Sequence, residues 1–569
     1  MKSIVYYAKK TSQFIDSLGV ESKGIHRYLP NERYDNDSWW PYISTSGLWI
    51  SGCGGLTSMS SYFLGPLIFG LGYKDTLITG IFGTLFGCLV AAYCSTMGPR
   101  SGLRQMCSAR YLFGPWMVRI VSLITIIGFL GWSVTNSVLG GEILKWLSGG
   151  TLSLSVGIII VSIVSLVVAL FGIEYVFKFE GIIGIFVLIV VFLLYIITGN
   201  QYTKFENLQT VGDNELTKVG NRISFFTLAY SVTATWGGCA ADYYIVFPED
   251  VSQIRLFFFT FFGISIPTIF GAVIGMLIGN AAVGNELWYE TYEERSLGGL
   301  LNLVFDRWGN FGKFLIVVFW LSLITNNIIN NYSSALSVQL LDDLAYRYLS
   351  RWFIVIIIFV ITLVCSLVGK NHFSAILSNF LPMLGYWISI YFTLLIEENL
   401  IFRSTSLVKL FRKELYEVPQ VPVQNDIENC GNTLDNTLDK NLVNEKEDGI
   451  KAEDNTISSG SWSSTSTSVE ETSQRDINIP PFSTVKSIPY YNFDAWNDKL
   501  VLTNGIAATF GFCCGVAGAI VGMNQVYYIG PISSYVGDDA ADLGNFFAIA
   551  FTGIAYPLAR YAELRYFKK

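Results

Sequence analysis

Apolar residues in this chain gather into runs too long for the core helices of a soluble domain. Crossing the hydrocarbon of a bilayer takes roughly 20 predominantly apolar residues in a helix. Runs of that kind fall at approximately 45–69, 74–97, 116–146, 151–172, 180–199, 223–247, 255–280, 312–338, 351–370, 374–398, 501–525 and 540–560. The pattern predicts an all-α polytopic membrane protein of about twelve spans embedded in the lipid bilayer. It also divides the chain into a leader (1–44), a ten-helix core (45–402), a long polar connection (403–499) and a closing segment with two more helices and a short tail (500–569).

Polar stretches between the runs set the orientation. Lys2, Lys9, Lys10, Lys23, Arg27 and Arg33 lie in the leader, Arg100, Arg104 and Arg110 between spans two and three, and Arg347 and Arg351 between spans eight and nine. Arg403, Lys409, Arg412 and Lys413 open the 403–499 connection, and Arg560, Arg565, Lys568 and Lys569 close the chain. With twelve spans all of these fall on one side, whereas Glu293, Glu294, Asp538 and Asp539 fall on the other. The positive-inside rule then places both termini in the cytosol. The 403–499 connection contains ENCGNTLDNTLDKNLVNEKEDG and SSGSWSSTSTSVEETSQRD, polar and acidic sequence unable to bury a core. It reads as a disordered cytosolic loop, either a modification segment or an unconstrained linker.

Composition narrows the class. Hydrophobic residues make up 51% of the 569 and charged residues only 14%, against about 25% charged in soluble domains. Mean hydropathy is +0.45. No basic patch points to nucleic acid, and the opening MKSIVYYAKKTSQF lacks the apolar core and cleavage site of a signal peptide. With only His26 and His372, and no Cys/His spacing of the zinc kind, neither a metal site nor a catalytic cluster is expected, and no cofactor. Cys53, Cys88, Cys94, Cys239, Cys365, Cys513 and Cys514 fall in spans and Cys107 and Cys430 in cytosolic segments, so no disulfide is expected.

Candidate chemistry sits where a membrane helix is least comfortable. Span one reads GLWISGCGGLTSMSSYFLGP and span six TLAYSVTATWGGCAADYYIVFPED, with Gly237 and Gly238 mid-span. Gly-interrupted segments in corresponding positions of two halves point to a transporter binding site; helix packing is the plainer reading. Span eight carries Asn326, Asn327, Asn330 and Asn331, expensive in a membrane unless they face a cavity or partners. Asn326, Asn330 and Ser333 share a face, and Asn327, Asn331 and Ser334 form the neighbouring stripe. The first stripe is expected to face substrate and the second to act as interhelical glue. Trp132 and Asn136 are i and i+4 on span three, and with Trp236 two indoles could sandwich an aromatic ring, although a lone membrane Trp is commonly an interface anchor. Glu142, Glu174, Asp242, Glu397 and Glu398 are the acids in or near spans. Asp242 follows the span-six break and is the candidate for proton coupling, or else the partner of a basic residue at the cytosolic mouth.

GLTSMSSYFLGP, MGPRSGLRQM, GWSVTN, ATWGGCAADYYIVFPED and NNIINNYSSALSVQ resemble the purine–cytosine permease family of the nucleobase:cation symporter class. GVESKGIHR and NHFSAILSNFLPMLGYWISIYFTLLIEENLIFR are similar to its vitamin B6-transporting branch. The resemblance implies a LeuT-like fold of two inverted five-helix repeats plus two C-terminal helices. It implies a substrate site of Trp132 and Asn136, of Ser58 or Ser60 near the span-one break, and of Asn326, Asn327 and Asn330 from the NNxxN pattern, with Trp236 as the span-six aromatic. A proline common between the asparagines of cytosine-type members is Ile329 here, which speaks against cytosine and purines.

The expected function is proton-coupled uptake of vitamin B6, as pyridoxine, across the plasma membrane by alternating access. A cytosine/purine:proton symporter and a non-transporting nutrient receptor are the alternatives. The orientation yields one direct check. A tag inserted near Ser459 should be cleaved by added protease only after permeabilisation, and cleavage on intact cells would break the twelve-span count.

Overall fold

The computed structural model describes residues 24–170, 173–205, 207–342, 351–416 and 489–569. The leader to Lys23, Arg347, Cys430 and the middle of the 403–499 connection lie outside the described residues, as does the side chain of Glu174. The described residues are almost entirely helical: α1 Trp40–Gly54, α2 Leu56–Tyr62, α3 Leu64–Leu67, α4 Tyr73–Ser95, α5 Met97–Ser101, α6 Gln105–Ser108, α7 Arg110–Leu147, α8 Leu154–Ala169, α9 Ile173–Thr198, α10 Glu215–Ala234, α11 Gln253–Val283, α12 Glu286–Asp306, α13 Gly309–Leu341, α14 Arg351–Gly369, α15 Phe373–Glu397, α16 Ile506–Gly522 and α17 Gly544–Phe567. A two-residue hairpin, β1 Asn524–Gln525 with β2 Tyr528–Ile529, precedes α17.

Among the described residues, seven helical stretches are long and apolar enough to cross a membrane: Tyr73–Ser101, Arg110–Leu147, Glu180–Tyr202, Gln253–Val283, Gly309–Leu341, Arg351–Gly369 and Phe373–Phe402. Two more apolar helices, Leu154–Ala169 and Ile506–Gly522, are shorter. The remaining predicted runs coincide with the interrupted helix α1–α3, with α10 and the 3₁₀ turns after it, and with α17. The outer faces are greasy at helical spacing. Ile78, Phe82, Phe86 and Leu89 are exposed along α4, and Ile182, Ile185, Ile189 and Phe192 along α9, the signature of a lipid-facing stripe.

Small residues draw the interior helices together. A Cβ on Gly47 would stand 2.7 Å from the Gly181 Cα, so α1 and α9 touch backbone to backbone. A Cβ on Gly83 would stand 2.7 Å from the Phe226 carbonyl, and one on Gly87 2.3 Å from that of Tyr230, which puts α4 equally close to α10. The interrupted helices α1–α2 and α10 therefore run through the middle, ringed by α4, α9, α11 and α13.

Two findings bear on the segments outside the ten-helix core. First, the leader is folded from Gly24 onward. Tyr28 N–H donates to the Gly102 carbonyl at 2.9 Å, and Arg33 reaches the carbonyls of Tyr28 and Pro99. Second, both ends of the 403–499 connection are ordered. Arg403 is buried, Tyr490 N–H donates to its carbonyl at 3.0 Å, and Asn492 N–H donates to Leu415 at 2.9 Å. An acid that the pattern left without a partner explains the first end. Buried Glu398 accepts from Arg403 Nε at 2.9 Å, from Arg560 Nη2 and Nε at 3.1 Å, and from the Tyr556 hydroxyl at 2.8 Å. Helix α12, with kinked Ser296 at φ 57°, was not expected at all: its charged residues mask it from a hydropathy reading.

Removing one partner from a buried ion cluster leaves an uncompensated charge and costs about 3–5 kcal/mol. Arg560→Leu should therefore markedly lower the unfolding temperature of the detergent-purified protein. Wild-type thermal stability would mean that the Glu398 cluster does not join α15 to α17.

Candidate functional site

Interrupting a helix inside a membrane strips backbone groups of their partners, and these must be met by other side chains. The first break lies at Gly55, an extended residue (φ −91°, ψ −168°) between α1 and α2. Leu56 N–H donates to the Ser322 hydroxyl at 2.9 Å, and the Gly52 carbonyl accepts from Asn326 Nδ2 at 3.1 Å. Both partners stand on one face of α13, four residues apart. Gly55 is required by this contact, since a Cβ there would lie 2.5 Å from Ser322 Cβ. The second break follows α10, where the 3₁₀ turns Thr235–Gly238 and Ala240–Tyr243 flank Cys239. Ala241 N–H there donates to Gln105 Oε1 at 3.1 Å.

Between the two breaks lies a cavity. Of the residues singled out from sequence, Ser58, Trp132, Trp236, Asn326 and Asn330 line it. Asn136 and Asn327 lie just behind. Asn136 Nδ2 donates to Asn326 Oδ1 and to Asn327 Oδ1, both at 2.9 Å, and Asn327 Nδ2 donates to the Ser137 hydroxyl at 3.3 Å. Asn330 Nδ2 also donates to Asn326 Oδ1 at 2.9 Å. The Asn326 amide is thus committed on both ends, while Asn330 Oδ1 takes no bond from this network and Asn330 stands at the cavity wall. Ser60 is turned away and donates to the Thr57 carbonyl of its own helix at 2.8 Å. Thr57 lines the cavity instead, with a buried hydroxyl that has no protein partner among the described residues.

Trp236 is held edge-on by Trp49 of α1, ring centroids 5.3 Å apart at 88°, and the Trp49 indole donates to the Tyr244 hydroxyl at 2.8 Å. A third indole, Trp387 of α15, joins Trp132 and Trp236 around the cavity, together with Phe129. It comes close because Gly238 has no side chain; a Cβ there would meet Trp387 Cζ2 at 3.3 Å. Trp387, Phe129, Thr57 and Ser322 were all missed from sequence. A single aromatic or hydroxyl residue in an apolar run carries no mark of facing a cavity rather than lipid or a neighbouring helix.

Asp242 does not line this cavity. It sits on the leader side of the second break, where its Oδ1 accepts from Gln105 N–H at 2.7 Å and its carbonyl from Arg104 Nη1 at 3.1 Å. Arg104 also donates to the Tyr332 hydroxyl at 2.8 Å, and Gln105 to that of Tyr391 at 2.7 Å. Ser333, placed by spacing on the Asn326 face, meets the Tyr243 hydroxyl at 2.9 Å rather than the cavity. The connection between α4 and α7 thus plugs the leader side beneath the site.

Paired interrupted helices enclosing an aromatic-walled cavity with amide groups define a membrane transporter of the broken-helix type. A family model described as permease for cytosine/purines, uracil, thiamine, allantoin matches residues 30–408, and the chain belongs to that family of transporters, not to the enzymes. The chain is 44% identical to the vitamin B6 transporter TPN1 of Saccharomyces cerevisiae, over 100% of this chain and 91% of that protein. It is 26% identical to the purine-cytosine permease FCY21 of the same species, over 97% of this chain and 88% of the relative. Its fold is similar to that of MHP1, a nucleobase-cation-symport-1 family transporter solved in a closed conformation with bromovinylhydantoin bound. The TM-score is 0.51 at 16% identity, covering 69% of this chain and 84% of the other.

The geometry separates the asparagines by role. Truncating an amide that pairs with substrate costs roughly 1–3 kcal/mol, about five- to 150-fold in affinity. Asn330→Ala should weaken apparent affinity in that range at unchanged surface abundance. Asn326→Ala should lose transport as well, together with thermal stability, and Asn327→Ala should act mainly on stability. Uptake rate against substrate concentration, read beside a fluorescent tag, checks this. Normal transport by Asn330→Ala would remove this face from the site.

Proposed function

We propose that the protein imports vitamin B6, as pyridoxine, across the plasma membrane by proton-coupled alternating access, with twelve spans, two inverted five-helix repeats and both termini cytosolic. The observation that carries this reading is the end-to-end similarity to a vitamin B6 transporter, and the cavity chemistry agrees with it. Pyridoxine is a flat pyridine bearing hydroxyl and hydroxymethyl groups. Trp132 and Trp236 offer planes for its ring, each contributing about 0.5–1.5 kcal/mol beyond buried area. Asn330, Ser58 and Thr57 offer donors and acceptors for its substituents.

A cytosine or purine symporter is the second reading, supported by the 26% identical permeases. Ile329 bears on the choice indirectly. Its Cδ1 would lie 2.9 Å from a Cβ on Gly52, so it packs on the first break and sets the position of α1 without lining the cavity. A receptor that binds without transporting is the third. For coupling, Asp242 is the acid proposed at the leader-side plug: protonation would weaken its hold on the Gln105 N–H and release Arg104 from a neighbouring charge.

Expressed in cells lacking their own permeases, the protein should take up radiolabelled pyridoxine and restore growth of a vitamin B6 auxotroph. Uptake should rise as external pH falls and collapse with a protonophore. Cytosine uptake without pyridoxine uptake would overturn the substrate, sodium-dependent and pH-independent uptake would overturn the driving ion, and binding without accumulation would favour the receptor.

A further inference from the structure

Among the described residues, one fully buried acid stands apart from the rest. Glu398 faces Arg403 and Arg560, and Glu563 faces Arg560. Asp242 accepts a backbone N–H beside Arg104, Glu142 accepts Gly298 N–H at 3.2 Å, and Asp542 accepts the Tyr386 hydroxyl at 2.6 Å and Gly544 N–H at 3.0 Å. Glu180 of α9 is fully buried, with one oxygen on the Ser51 hydroxyl and, among the described residues, no partner for the other. A carboxylate so placed, with no cation and a bare oxygen, is expensive in a membrane protein, and groups kept at that expense belong to ion or proton paths.

Its position relative to the substrate cavity is specific. Gly181 and Gly184 press α9 onto α1 at Gly47 and at the Ser51 N–H, which brings the Glu180 carboxyl to Ser51. Ser51 lies one turn before the break at Gly55 and next to Gly52, whose carbonyl takes the Asn326 amide at the cavity wall. Among the described residues, the Cys53 thiol of α1 lies within electrostatic reach of Glu180, and no charged side chain does.

We propose that Glu180 is a proton-binding site of the transport cycle, linked through Ser51 to the break in α1. The inference rests on the proton-coupled reading above and adds a site to it. With the carboxylate charged, the Ser51 hydroxyl donates to it. With a proton taken on, the carboxyl itself becomes a donor, and the Ser51 hydrogen turns to the Leu48 carbonyl of its own helix, 3.2 Å from the hydroxyl oxygen. The tie between α9 and α1 therefore reverses its donor and acceptor beside the residue that anchors Asn326. One proton is taken up on one side of the membrane and given up on the other, and the carboxyl returns to its charged form with each cycle.

Purified full-length protein in proteoliposomes, with radiolabelled pyridoxine as probe, tests the assignment. Wild type should accumulate pyridoxine under an imposed pH gradient. Glu180→Gln should keep exchange between preloaded vesicles and medium but lose gradient-driven accumulation by about ten-fold or more, along with its pH dependence. Glu180→Gln accumulating with the wild-type pH profile would overturn the site. Ser51→Ala keeps the acid and removes its donor; its pH profile should move to higher pH, because a carboxyl group whose charged form has lost its donor gives up its proton less readily, and an unmoved profile counts against the link. Failure of the underlying reading shows separately and first, as wild-type accumulation that follows a sodium gradient and ignores pH.

Discussion

A helix interrupted inside a bilayer leaves N–H and C=O groups that water cannot reach, and in this protein one face of α13 answers them. Ser322 takes the Leu56 N–H on one side of the Gly55 break, and Asn326, a turn further on, holds the Gly52 carbonyl on the other. The same asparagine accepts amide hydrogens from Asn136 and Asn330. The cavity is therefore a consequence of how the broken backbone is repaired. Spans one, three and eight meet at a single side chain, and Asn330, the next polar residue along that face, keeps its oxygen outside this network at the cavity wall.

The rest of the molecule serves to hold the two breaks in place. Glycines on α4, α9 and α1 let backbones touch, so the interrupted helices are gripped by continuous ones. Trp49 braces Trp236 across the two breaks. On the leader side, Arg104 and Gln105 join the second break to Tyr332 of α13 and Tyr391 of α15, and the ordered leader from Gly24 packs beneath them. This plug holds the buried Arg104 beside the Asp242 carboxylate and ties it by hydrogen bonds to a tyrosine and a backbone carbonyl. The Glu398–Arg403–Arg560 ion cluster lies away from the cavity, between α15 and α17.

What could be read in the sequence follows physical cost. Asparagines in span eight and glycines in spans one and six are penalised in lipid, so their presence demanded an explanation, and Asn326, Asn330 and Trp236 do line the cavity. Trp387 and Ser322 carry no such penalty and were invisible. Ser60 was placed by analogy to a pattern, whereas the helix after Gly55 turns Thr57 and Ser58 inward. Glu180 was not among the acids singled out; it stands at the first residue of its predicted span, and only the fold buries it against Ser51 of α1. The disorder assigned to all of 403–499 failed at both ends for a related reason, since Arg403 and Asn492 gain their partners only in the folded chain.

The central claim is that a flat heteroaromatic ring sits between the two breaks, stacked on indoles and read by the free end of the asparagine stripe. A structure of the protein determined with pyridoxine bound tests it most directly. The account predicts density for the ring in the cavity between Trp132 and Trp236, with a polar substituent within hydrogen-bond distance of Asn330. Density on the far side of the Arg104–Gln105 plug, or a cavity left empty at saturating pyridoxine, would contradict it.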